Sequence, residues 1–453
     1  MRSQSLTVVP RHATAPTRAG TYTRWDVLLY PATAVMAFFL LWLRRPEALT
    51  AARLWAEDGS VFYSAYLVHG PIRSLFEPNN GFLNLIPRLF TALIGRAPAA
   101  QIPGLFGAIS LLGAALSCGF FALPEYRYFL RSDQVRVACC LAFAAVPYSY
   151  DAVGNLAILP WYACIPTMLF LALPRRAYNG RPFWFMLGAA SIVFLTALSA
   201  PGLVVFIPLA CYKIYKGTSR VRIVSGAFLV AMIVQFMVSR VASHANFAAI
   251  DLPSLGASML KVAAYRVMLD NVVGRFASGD LSTGYVVALG ALIILAALVA
   301  AFVYVETRKE AVIARRLTYI VCAIIASIVI TCLGSQLNAD PALAAGLDTL
   351  QRDHNLLIPI ALFYYFLGYA CDDLLRWRTA EPFRALAFVV LVTIAAFSNF
   401  RLPPLADDDW VSHAPLIDAW RAAQLAGATH SALDLPINPP GWTVSLPALQ
   451  GAP

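Results

Sequence analysis

The chain reads as a succession of long apolar runs separated by short polar breaks. The first run covers about 26–43. Others follow at about 101–122, 136–148, 157–174, 183–199, 201–214, 223–239, 285–305, 317–334, 355–371 and 385–399. Most approach the ~17–25 residues that carry a helix across a ~30 Å hydrocarbon layer, and 136–148 is the shortest. The pattern predicts an all-α polytopic membrane protein of about eleven transmembrane helices. Phe82 to Ile94 is apolar too, but Pro87 and Arg88 interrupt it. It predicts a short helix lying at the membrane interface.

Charge placement gives the spans a direction. With the N-terminus inside, the inner segments hold 21 of the 34 basic residues and 8 of the 24 acids. Every short inner loop is then basic, as the positive-inside rule requires. Residues 1–25, with Arg2, Arg11, Arg18 and Arg24 and no acid before Asp26, form a cytoplasmic basic tail. A mitochondrial transit peptide has a similar composition, but the alternation of charge along the rest of the chain favours the tail. The first run follows as a signal anchor. The transmembrane domain is expected over 26–399, and 400–453 is expected as a tail on the outer face. The outer side owns most of the polar mass, beginning with the loop 44–100.

Composition agrees with this division. Of 453 residues, 60% are hydrophobic and 13% charged, where a soluble chain carries about 25% charged residues. A net charge of +10 suggests nucleic acid in a soluble chain. Here it is explained by the inner loops, and no nucleic-acid partner is expected. The eight cysteines lie in or at the edge of apolar runs, which suggests no disulfide framework. No CxxC pair or HExxH motif occurs, so no dedicated zinc site is expected.

The candidate chemistry gathers on the outer side. Glu57 and Asp58 follow the first span among Trp55, Phe62, Tyr63 and Tyr66. A carboxylate partly buried there can act as a general base toward an acceptor hydroxyl. The competing reading is a helix N-terminus whose amides the acids satisfy. Spacing alone decides neither this nor which acid is the base. Removing either charge isosterically is expected to leave the fold intact. In FEPNNGFLNLIPR, Asn79, Asn80 and Gly81 favour a turn. Asn84 and Arg88 share a helical face, suited to a sugar or a phosphate, or to an arginine reaching for headgroups. In YSYDAVGNLAILPW, Tyr148, Tyr150 and Trp161 fit an aromatic belt, while Asp151 and Asn155 are polar at the edge of lipid. Arg352, Asp353 and His354 stand at the mouth of a late span, where Arg352 suits a phosphate. The tail carries DDDW, Asp407 to Trp410, which reads as a solvated acidic turn or a divalent-cation site. It also carries PINPPGW, Pro436 to Trp442, which predicts an extended strap packed on the outer domain.

These pieces together resemble the GT-C superfamily of polytopic glycosyltransferases. Within it, the chain is similar to bacterial membrane proteins of the EDG…P.NGFLNL.PR type with a PINPPGW-like end. Ala56 to Gly59, Pro78 to Arg88, Gly154 to Trp161, Arg352 to Pro359 and Pro436 to Trp442 carry the likeness. The resemblance implies an inverting transfer from a polyprenyl-phosphate-linked sugar donor to a glycan or lipid acceptor at the outer face of the bacterial inner membrane. Glu57 or Asp58 is then the base. Asn80, Asn84, Arg88, Asp151, Asn155, Trp161, Arg352 and His354 bind substrate, with Arg352 on the donor phosphate. A divalent cation is an optional cofactor. The tail is shorter than the soluble C-terminal domain of larger members, so the outer loops must build the acceptor site.

Two other classes fit less of the pattern. A transporter or flippase for lipid-linked saccharides places charge at the bilayer midplane, and most of these spans carry none there. A non-catalytic partner in envelope polysaccharide assembly would tolerate loss of both acids.

Overall fold

The computed structural model describes residues 24–79, 81–146, 153–242, 252–269, 271, 311–337, 356–374 and 400–450. The protein is mostly helical, with one small β-hairpin near the C-terminus. Nine of the eleven predicted spans fall on described helices, and 285–305 and 385–399 lie outside the described residues. Among the described residues three helices are long and apolar enough to cross a membrane, Val27–Arg44, Ala99–Ala122 and Ser219–Ser239. Shorter apolar helices include Leu156–Ala172, Phe183–Ala197, Ile320–Leu333 and Leu357–Tyr369. The expected span at 136–148 is helical only over Asp133–Ala144, which is 12 residues. At 1.5 Å per residue it covers about 18 Å, short of a ~30 Å layer.

The first helix, α1 (Arg24–Arg44), packs along α5 (Ile102–Gly119) and α6 (Asp133–Ala144). Between them lie α2 (Glu47–Thr50), α3 (Ser64–Arg73) and α4 (Leu85–Ile94). After α6 come α7 (Leu159–Ala172), α8 (Arg175–Tyr178), α9 (Phe183–Ala197), α10 (Ile207–Lys216) and α11 (Ser219–Ala242). Then follow α12 (Leu252–Lys261), α13 (Ala311–Leu337) and α14 (Leu357–Leu374). α7 stands between α5 and α9, and α9 lies against α11.

α1 ends where its apolar run meets Arg44 and Arg45. Arg44 is wholly buried, so its guanidinium must find acceptors inside the protein. It donates to the carbonyls of Ala144 at 2.8 Å and Val146 at 2.7 Å, and to Phe400 at 3.3 Å. The first two lie at the C-terminal end of α6, where helix carbonyls lack partners and the dipole favours a cation. The third fixes the start of the tail, and the backbone N–H of Leu402 returns a bond to Arg44 O at 3.0 Å. One arginine thus joins the end of α1, the end of α6 and residue 400.

The tail is more folded than the expected strap. It forms α15 (Trp410–Ala426) and an antiparallel hairpin of β1 (Leu433–Ile437) with β2 (Trp442–Leu446), in register Leu435 to Val444. Strand alternation buries Leu435, Ile437, Val444 and Leu446 and leaves Asp434 and Ser445 outward. A second apolar core results, separate from the bundle core. It joins Leu54, Tyr63 and Phe106 to Trp410, Trp420 and Val444. The indoles are satisfied: Trp410 Nε1 donates to Ala99 O at 2.9 Å, and Trp420 Nε1 to Pro447 O at 3.0 Å. The tail therefore closes over the first loop, as the strap reading required, but as a helix and a hairpin.

Candidate functional site

The segment Leu54–Asp58 follows α1 and α2 and is gripped from three directions. The first grip is Asp58, which opens a π-helical turn over Asp58–Tyr63. Such turns recur at functional sites. Its carboxylate is 2% exposed and accepts the backbone N–H of Leu156 at 2.9 Å and of Ala157 at 2.6 Å. Those amides open the 3-10 turn that leads into α7 and have no partner within it. Burial pushes the Asp58 carboxyl up to about 8. The two amides pull the other way, and the neighbouring charge of Glu57 adds to the rise.

The second grip is the tip of the tail hairpin. Asn438 N donates to Leu54 O at 3.3 Å, and Asn438 O accepts Ala56 N–H at 2.5 Å, a short parallel bridge across Trp55. The Asn438 side chain donates to Ala406 O at 2.9 Å and to Asp408 Oδ2 at 3.2 Å. The third grip is Arg53, paired with Asp407 at 2.9 Å and Asp408 at 3.4 Å. Burial raises the Asp408 carboxyl, and the Arg53 charge opposes that rise.

Held this way, Ala56 adopts φ +37°. A non-glycine residue there stores about 1–3 kcal/mol, a strain that clusters at active and switch sites. The next residue is Glu57. It is half-buried, and its carboxylate makes no hydrogen bond or ion pair among the described residues. The two adjacent acids thus have different surroundings. Asp58 is committed to two amides, while Glu57 is free to meet another molecule.

Four of the other expected site residues, Asn84, Arg88, Asn155 and Trp161, are among the described residues. Asn155 is 1% exposed, and its carbonyl accepts from Ser110 Oγ at 2.8 Å. It borders a shallow cleft with Arg45, Glu47, Arg53 and Gly154. Gly154 holds φ +83°, and a Cβ there would stand 2.8 Å from that of Ala48. Trp161 is half-buried beside Gly202, which also meets Ile358 of α14.

Arg88 lies under the first loop, 5.3 Å from the centre of the Phe62 ring. It is 2% exposed and donates from Nε to Leu83 O at 3.1 Å and from Nη1 to Ser74 O at 2.7 Å. Burial lowers its pKa to about 10, with Glu77 opposing. This is a guanidinium holding loop carbonyls. Asn84 adopts the left-handed conformation, φ 52°, at the start of α4 and is buried. Its neighbours are bound to the bundle: Leu83 N–H to Gln235 Oε1 at 3.2 Å, Ile86 N–H to Ser199 Oγ at 2.8 Å, and Gly81 O to Ser239 Oγ at 2.6 Å. Residues 81–86 thereby dock on the bundle. Asn80, Asp151, Arg352 and His354 lie outside the described residues.

The three aspartates of DDDW take separate positions. Asp407 meets Arg53, Asp408 meets Arg53 and Asn438, and Asp409 begins α15 in the left-handed conformation, φ 54°. Among the described residues no group of three His, Cys, Asp or Glu side chains is arranged to hold a metal ion. Arg53 and Asn438 are the site residues that sequence reasoning did not single out. No family model, curated protein or solved structure matches the chain.

Proposed function

We propose that the protein is a membrane glycosyltransferase of GT-C type, moving a sugar from a polyprenyl-phosphate donor to an envelope glycan or lipid acceptor at the outer face of the cell membrane. In this reading the chain crosses about eleven times, with the N-terminus cytoplasmic and the C-terminus outside. The observation that carries it is the division of labour in the acidic pair. Glu57 has a half-buried carboxylate with no protein partner among the described residues, next to a strained backbone and on a loop clamped from three sides. A base must be positioned yet unoccupied, and Glu57 meets both conditions. It takes the proton of the acceptor hydroxyl as the oxygen attacks the anomeric carbon and the lipid phosphate leaves. Asp58 holds the loop against α7. Asn155 precedes the two residues whose amides Asp58 holds and borders the cleft with Arg45, Glu47 and Arg53. Arg352 is assigned to the donor phosphate and His354 to substrate binding by the sequence and the resemblance, and both lie outside the described residues.

The test is a comparison of envelope glycans by mass spectrometry. The chromosomal copy is deleted and complemented with the native chain or with Glu57→Gln at matched expression. Loss of one sugar on deletion, restored by the native chain and not by Glu57→Gln, supports the transferase. Loss of whole repeat units with lipid-linked precursor accumulating, rescued by Glu57→Gln, points to a transporter or an assembly partner instead.

A further inference from the structure

The tail tip and the acidic segment are far apart in sequence, yet they share a short two-stranded bridge. The bridge is made by backbone groups, so its two hydrogen bonds do not depend on the Asn438 side chain. That side chain does something else. Its Nδ2 reaches Ala406 O at 2.9 Å and Asp408 Oδ2 at 3.2 Å, which ties the hairpin tip to the stretch before α15. Asp408 in turn meets Arg53, three residues before the strained Ala56. Arg53, Asp408 and Asn438 therefore form one chain of contacts that begins and ends on the same backbone, Arg53 to Ala56. Both Asp408 and Asn438 are buried, at 9% and 4% exposure. Buried polar groups are held to their partners because water cannot replace them.

We infer that Asn438 is a positioning residue for Glu57, holding the loop through Asp408 and Arg53 so that the carboxylate stands at a fixed place. The role in transfer rests on the reading above, whereas the clamp itself does not. The Asn438 side chain makes no hydrogen bond to Glu57. Its effect passes through Asp408 and Arg53 to the backbone that leads to Ala56, whose φ is +37°.

The experiment uses the full chain in detergent. Glu57→Cys places a thiol at position 57, and its reaction rate with a charged maleimide reports whether that position is held half-buried. The chain without this substitution sets the background. Asn438→Asp puts two carboxyl groups face to face at 408 and 438 and removes the amide donor. The thiol is expected to react about tenfold faster, the effect of a repelling buried pair on a local opening. Exchanging the two groups, Asn438→Asp with Asp408→Asn, restores one donor and one acceptor between the two positions but not the bond to Ala406 O, and is expected to reverse most of the tenfold rise. The thermal transition of the same chains separates the two roles: a faster thiol at an unchanged transition supports the clamp, and a faster thiol with a proportionately lowered transition overturns it. If Asn438→Asp does not fold, a folded exchange variant with a slow thiol supports the clamp, and an exchange variant that also fails to fold overturns it. An unchanged rate in Asn438→Asp overturns it too.

In the native background, Asn438→Asp is expected to lower glycan product about 10²-fold, the scale of a small misplacement of a catalytic group, and the exchange to recover it. Thiol rates that follow the expected pattern while product is indifferent to Glu57→Gln uphold the clamp and sink the transferase.

Discussion

Asp58 caps the turn that begins at Leu156, accepting its N–H at 2.9 Å and that of Ala157 at 2.6 Å. The first loop and the start of α7 are thus one unit, joined by a single carboxylate. Asparagine has the same shape as aspartate but only one acceptor oxygen, and its amide would face a backbone N–H. Asp58→Asn therefore loses one of the two bonds and leaves a buried amide unsatisfied. The expected loss is about 1–3 kcal/mol, read as a lower thermal transition of the purified chain. This corrects the expectation that either acid can be neutralised without cost to the fold.

Glu57→Gln is expected to behave in the opposite way. The carboxylate has no protein partner to lose among the described residues, so the thermal transition should match that of the native chain. Product should fall ~10²–10⁴-fold, as for removal of a general base. A destabilised Glu57→Gln with proportionate loss of product would assign Glu57 a structural role.

The pH dependence of stability follows from the burial of Asp58, which lies outside the membrane-spanning segments. Its carboxyl is raised from 3.8 to about 8. An acid raised in the folded state contributes fully while protonated in both states, below about 3.8. That contribution is lost as pH climbs through about 8, because the unfolded chain ionises first. Stability is expected to decline between pH 4 and pH 8 by a component that vanishes in Asp58→Asn. Thermal transitions of both chains across that window check it, and parallel profiles would show that the carboxylate is already charged in the fold.

Arg88 leads to a prediction about the docking turn. Its planar group serves Leu83 O and Ser74 O together and lies over Phe62. A lysine carries the charge but cannot reach both carbonyls in that geometry. Arg88→Lys is expected to cost about 1.5–3 kcal/mol, the range for hydrogen bonds to a charged group. It should also expose the 74–83 turn to limited proteolysis. Faster cleavage there with product per folded molecule unchanged would confirm that Arg88 holds the loop and does not bind phosphate.

The sequence carried the large features well, for identifiable reasons. Apolar runs and basic loops predicted helices at nine described places, because burial in lipid demands unbroken apolar stretches. The acidic pair, the Gly154–Trp161 stretch and PINPPGW stood out as separate pieces, and in the fold they meet. Their meeting was not legible. Asp58 binds backbone amides of residues 156 and 157, and Asn438 binds backbone groups of 54 and 56. Backbone partners leave no mark on residue identity. Arg53 looked like one more outer charge, and its pairing with Asp407 and Asp408 depends on the tail folding back. Arg88 shows the converse. It stands in α4, with Asn84 left-handed just before that helix, but Ser74 and Leu83 meet its guanidinium only through the turn of the loop between them.

The closeness of the tail to the first loop can be tested by volume alone, through Gly59 and Ile437. A Cβ built at Gly59 would stand 2.6 Å from Ile437 Cδ1, 3.1 Å from Val444 Cγ2 and 3.2 Å from Leu54 Cδ1. The hairpin thus rests directly on the residue after the acidic pair. Gly59→Ala overfills a contact closed on three sides, and overpacking of this kind costs about 1–3 kcal/mol. The nearest obstacle is the terminal methyl of Ile437, which Ile437→Val removes while keeping the β-branched shape that suits a strand. The double variant Gly59→Ala with Ile437→Val is expected to recover most of the stability lost by Gly59→Ala. Ile437→Val alone should cost about 0.5–1.5 kcal/mol. In a double-mutant cycle of thermal transitions, a coupling near zero would mean that the hairpin does not press on Gly59. A coupling that offsets the single losses would establish the contact without reference to charge, pH or activity.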